Sequence, residues 1–302
     1  MEEQLVALLA AGERAAFHGR PLAGVDPLEQ AVALATGGGR TTEAGMAGWL
    51  LGVCFTAGGR YGAALDVLEP LTALGERAEP EARLVGALAG AARAAVHRQL
   101  GRHEEAQGMD RTALGWTDGT GEAGFDASLG LAADAIGLGD PAAAGEALAR
   151  CTDMSEEHAE WWRQRVRLGW VQAELALLEE RPEDAITLLE PSVALAERSG
   201  APRHVAKGLL FLGVAQVQAG ALEPSTGTLR RAAMLAESLG ARPLVWPARA
   251  VLGTLLAEDD ATASATSLEA ARRSARAISE DLPHSLRAAW LDRPDVAALL
   301  AG

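Results

Sequence analysis

One feature constrains the fold of this 302-residue chain more than any other: it repeats itself at a near-constant spacing of about 40 residues. The clearest copy runs Gly48-Trp49-Leu50-Leu51-Gly52-Val53-Cys54-Phe55, then Ala57-Gly58-Gly59-Arg60-Tyr61, then Ala64-Leu65-Asp66-Val67-Leu68. Its logic is helix, tight turn, helix. Gly52 lets two helices approach, Phe55 sits one turn later on the same face, Gly59 closes the turn, and Ala64 and Leu68 pack back. Related copies carry Gly213, Gly220, Ser225 and Leu229, and another surrounds Gly253. Weaker copies pass through Ala94 and Ala106, Ala132 and Ala144, Ala173 and Ala185, and an N-terminal copy through Ala16 and Leu28. The small residue opening each second helix falls at Leu28, Ala64, Ala106, Ala144, Ala185, Ser225 and Ala265. A fixed period of this size marks a repeat array, in which length counts repeats and not separate cores.

Composition agrees with helices. Hydrophobic residues make up 49% and aromatics only 4%, so the apolar mass is mostly Ala, Leu and Val, with few strand-forming side chains. Gly200 and Gly240 end Ala/Leu/Glu-rich runs, and Pro202 and Pro243 start the next helices. These breakers mark repeat boundaries. The loosest joints are Thr36–Arg40 and Thr117–Gly124. The period stops near Pro283, so residues 1–283 are expected to form the repeat domain and residues 284–302 a terminal helix capping the last repeat.

The quoted residues resemble the tetratricopeptide repeat family. Its signature is a large residue, Leu-Gly and an aromatic in the first helix, then Ala, a large apolar residue and Ala in the second. Trp49, Leu51-Gly52, Phe55, Tyr61, Ala64 and Leu68 match best. The resemblance spans nearly the whole chain in about seven repeats, with a period longer than the usual 34 and eroded aromatic and proline positions. It is similar to the degenerate repeats of actinobacterial transcriptional regulators and signalling ATPases, without their ATPase and DNA-binding parts. The fold so implied is all-α, a right-handed α-solenoid of helix-turn-helix repeats.

Charge narrows the function. With 27 basic and 41 acidic residues the net charge is −14, which disfavours nucleic acid and anionic membrane as partners. Lys207 is the only lysine and is followed by Gly208, so no phosphate-cradling Gly-Lys-Ser/Thr motif exists. No apolar run is long enough for a spanning helix, and the acidic N-terminus does not read as a secretory signal. Cys54 and Cys151 form no paired motif and read as buried thiols of a reducing compartment, so the location expected is cytoplasmic.

Three motifs that suggest chemistry have simpler structural readings. Gly119-Thr120-Gly121-Glu122-Ala123-Gly124 matches a dinucleotide fingerprint, but a helical segment precedes it where a strand is needed. Around His158 the register for a carboxylate–histidine metal site fails at Ser155, which is expected instead to cap a helix holding Glu156, Glu157 and His158 in its first turn. No nucleophile or acid/base constellation stands out, so neither an enzyme nor a cofactor or metal is expected.

In the family the first helix of each repeat lines a concave groove. Carrying that face onto this sequence gives Trp49, Arg98, Arg167, Trp170, Glu174, Lys207 and Gln218. Tryptophan and arginine are frequent binding anchors, so this face could take an amphipathic helix or a peptide carboxylate. Trp49 and Trp170 could equally fill space between helices. Trp161 and Trp162 point about 100° apart on a helix; one exposed ring would mark an interface, between subunits of a homodimer for example, and two inward rings a wide core. The expected function is a non-enzymatic interaction module that binds a protein or peptide segment. The alternative is a domain that senses a small-molecule ligand and regulates a separately encoded effector.

Overall fold

The computed structural model describes residues 2–302, and those residues contain α-helices and short 3-10 turns with no strand. The chain divides into two compact units at Glu157/His158. The first holds α1 (Glu2–His18), α2 (Val25–Gly37), α3 (Thr41–Gly58), α4 (Tyr61–Thr72), α5 (Pro80–Gln99), α6 (His103–Trp116), α7 (Gly121–Gly137) and α8 (Pro141–Glu156). The second holds α9 (Trp162–Leu178), α10 (Pro182–Arg198), α11 (Pro202–Gln218), α12 (Leu222–Leu239), α13 (Arg242–Leu255), α14 (Ala261–Asp281), α15 (His284–Leu291) and α16 (Pro294–Ala301).

Within each unit consecutive helices pack as hairpins, and the odd-numbered helices also touch: α1 with α3, α3 with α5, α5 with α7, α9 with α11, and α11 with α13. This is tetratricopeptide-like stacking, four hairpins in the first unit and three in the second. Glycine sets the hairpin spacing. A Cβ on Gly12, Gly52 or Gly213 would lie 2.3–2.5 Å from Leu28, Leu68 or Leu229, so bare backbone is what lets each leucine seat itself. All three pairs are 16 residues apart.

That pairing corrects the alignment at both ends. Leu28 meets Gly12 as Leu68 meets Gly52, so it is the partner of Leu68 and not of Ala64. The residue 40 before Ala64 is Gly24, tucked against Ala15 and Cys54. In the last copy Ala265 is exposed, while Ser264 is buried and donates to the Gly253 carbonyl at 2.7 Å. Ser225 makes the same bond to Gly213 at 2.9 Å.

Two further expectations change. Ser155 lies in the last turn of α8, its hydroxyl donating to the Thr152 carbonyl, so Ser155 and Glu156 end a helix and do not open one. Residues 284–302 form two short helices, because Pro294 starts a new one. Trp290 of α15 is fully buried, edge-on to Trp246 at 5.8 Å, with its indole N–H donating to the Ala275 carbonyl. No helix among the described residues is long and apolar enough to cross a membrane.

Candidate functional site

The sequence-derived face divides by unit. In the first, Trp49 is half-buried, 6.4 Å from the Phe17 ring, and packs on a cluster that includes Ala87, Leu88 and Ala127. It fills space between repeats. Arg98 is not an open groove cation, because two buried aspartates hold it. Its guanidinium donates to Asp110 at 2.5 Å and to Asp134 at 2.8 and 3.0 Å, and His103 Nδ1 lies 3.2 Å from Asp134. Burial works against the Arg98 charge, but the two aspartates outweigh it and hold its pKa above the ordinary value. Gly130 makes room for this network, since a Cβ there would stand 2.0 Å from Asp110 Oδ2.

The second unit gathers the remaining residues on α9 and α11. Arg163, Arg167, Trp170 and Glu174 recur at helical spacing along one face of α9, and Arg203, Lys207, Phe211 and Gln218 do so along α11. Gln218 is exposed at the C-terminal end. Trp170 is 4% exposed, with its indole nitrogen buried against Gly208 and lacking an acceptor among the described residues. It forms a wall of the site, not a projecting anchor. The Lys207 ammonium stands 4.9 Å from the Trp170 ring centre and 5.3 Å from that of Phe211, held between two aromatic faces.

His204 is the centre of this arrangement. It is 1% exposed, stacked on Trp170 at 5.5 Å and met edge-on by Trp162 at 5.2 Å. Burial first, then the positive charges of Arg203, Arg163, Arg167 and Lys207, push its pKa well below the ordinary histidine value. The imidazole is therefore neutral at pH 7, and the charge of the site resides on the four cations around it. Trp162 is half-buried in this packing, while Trp161 is 9% exposed and stacks on His158 at 3.9 Å. Both rings are engaged within the unit.

Arg163, Arg203, His204 and Phe211 are additions to the residues read from sequence. The repeat itself could have supplied two of them: moving 40 residues on from Arg163 and Gln164 gives Arg203 and His204.

The other motifs are structural. Thr120 precedes α7, and a Cβ on Gly124 would lie 2.6 Å from the Gly119 carbonyl carbon, so the glycine-rich loop is a tight turn between two helices. Among the described residues no three His, Cys, Asp or Glu side chains are placed to hold a metal ion. On the outer helices Arg231 pairs with Glu197 and Arg273 with Glu269.

No protein-family model and no curated protein matches the sequence. Solved structures do resemble the fold. A Rap protein complexed with competence and sporulation factor superposes with a TM-score of 0.65 at 12% identity, over 99% of this chain and 89% of that one. The apo form of RapI gives 0.51 at 11%, over 98% and 84%. At these identities the likeness is one of fold, and it identifies the chain as an all-α protein of tetratricopeptide-like helical repeats.

Proposed function

We propose that this protein is a non-catalytic, cytoplasmic regulatory module that binds a protein or peptide segment along the exposed parts of α9 and α11. The observation that carries this reading is the meeting of two helical stripes, one from each of two neighbouring repeats, around His204, with Lys207 held over the Trp170 and Phe211 rings. An extended or helical segment could lie along the face shared by these two neighbouring first helices. A Rap protein of the same fold forms a complex with competence and sporulation factor, which supports a binding role for the scaffold. The finer resemblance to repeats of actinobacterial regulators supports action on a separate effector.

Selection from a random peptide display library, followed by fluorescence titration of the selected peptides, tests the proposal. Lys207→Glu and Arg167→Glu should each weaken the selected binders about tenfold or more, while Arg230→Glu on the outer helix α12 should leave affinity unchanged. Affinities untouched by both site variants would sink the assignment of this face.

A further inference from the structure

The first repeat has an open side. Among the described residues α1 stacks on a single first helix, α3, whereas α3 and α5 each stack on two. One flank of α1 is used within its own unit: Leu5, Gly12, Ala16 and Phe17 are buried, Gly12 beneath Leu28 of α2 and Phe17 against Trp49 of α3. The opposite flank is Glu3, Ala7, Ala10 and Arg14, spaced i, i+4, i+7 and i+11 and so aligned along one face. Glu3, Ala7 and Arg14 are exposed and Ala10 is half-buried, and beside them Val6 is 59% exposed. Among the described residues neither Glu3 nor Arg14 has an ion-pair partner.

The order of charges along this stripe decides what fits it. An acid stands at its N-terminal end, small and apolar residues in the middle and a base at its C-terminal end, with about 16 Å between Glu3 and Arg14 along the axis. A second α1 laid across it antiparallel brings Glu3 to Arg14 at both ends, while a parallel one sets like charges against each other. Ala7 and Ala10 then meet in the centre, where methyl side chains let two helices approach closely, and each Val6 is covered. Antiparallel alignment also opposes the two helix dipoles. A chain of net −14 repels its own copies, so self-association needs a surface on which both signs are matched; this stripe is self-complementary in the way a two-fold contact requires. We propose that the outer flank of α1 is a homodimer surface, and that its occupant is a second copy of this chain, packed α1 on α1 antiparallel with reciprocal Glu3–Arg14 pairs.

Size-exclusion chromatography with light scattering on the full chain, from about 1 to 500 µM, tests this. The mass should rise toward that of a dimer across the range, as suits a small contact built on one pair of helices. Glu3→Arg and Arg14→Glu should each weaken association at least tenfold, because each places like charges opposite one another. Mixed one to one, the two variants should dimerise again, since each then carries the charges the other needs; a variant that had merely misfolded is not rescued in this way. The double variant Glu3→Arg/Arg14→Glu should dimerise by itself. Asp66→Arg, at an exposed position of α4, changes net charge as much as Glu3→Arg does and should leave association unchanged. A monomer at every concentration overturns the proposal, as does a dimer that both single reversals leave intact, or a mixture of the two variants that fails to associate.

Discussion

At the scale of single residues, the turn between the two helices of a repeat shows how sequence and backbone answer one another. Gly59, Gly101, Gly139 and Gly220 all close this turn with φ between 73° and 78°. The fifth repeat places Glu180 there at φ 58°, a left-handed conformation that crowds any Cβ. Relieving the strain outweighs the extra entropy glycine brings to the unfolded chain. Glu180→Gly is expected to stabilise by roughly 1 kcal/mol, raising the melting temperature by a few degrees in calorimetry. A lower melting temperature would show that the strain is compensated by contacts of the glutamate. The repeat register made this position legible, because glycine recurs there in four other copies. Arg98 is the opposite case: its place on a first helix was readable, but its aspartates come from residues 12 and 36 positions away.

At the scale of elements, the Arg98 network fastens three helices of the first unit. Arg98 comes from α5, Asp110 and His103 from α6, and Asp134 from α7. Both aspartate side chains are almost wholly buried, so removing the arginine leaves two uncompensated carboxylates in a weakly polar interior. Arg98→Met should destabilise by about 3–5 kcal/mol in urea unfolding. Adding Asp110→Asn and Asp134→Asn to it should recover a large part of that loss, because the penalty comes from buried charge and not from lost volume. Failure of the triple variant to recover stability would point to packing as the dominant role. Two glycines accommodate the network: Gly130 and Gly137 stand where a Cβ would collide with Asp110 and with the His103 ring.

At the scale of the whole molecule, two buried histidines make stability depend on pH. Burial, together with Arg102 and Arg93, lowers the His97 pKa to about 4, and burial with four cations lowers that of His204 well below the ordinary value. Both are neutral when folded at pH 7, and below about pH 6.5 both take up a proton on unfolding. Stability is therefore complete above the unfolded pKa near 6.5 and falls progressively below it, levelling off for His97 only near pH 4. Urea unfolding at pH 7 and pH 5 should differ by at least about 1 kcal/mol for His97, allowing for its partial solvent contact, with His204 adding to it in the same direction. His97→Gln should flatten the first contribution; unchanged pH dependence in that variant would remove His97 from the account.

The sequence by itself determined the helical class, the spacing near 40 residues, the hairpin logic and the positions of the turn glycines. These follow from interactions between residues within a few turns of one another, repeated often enough to stand out. It also located Arg167, Trp170, Glu174 and Lys207 on first-helix faces, since helical spacing alone sets which residues share a face. Tertiary structure decided the rest. It moved the first and last copies into register through Gly12–Leu28 and Ser264–Gly253, and carried α8 through Ser155. Above all, it closed Arg98 into a buried ion network while drawing Arg163, Arg167, Arg203 and Lys207 around His204. Periodicity assigns a side chain to a face; whether a cation there is closed into a buried ion network depends on which residues the neighbouring helices bring opposite it, tens of positions away.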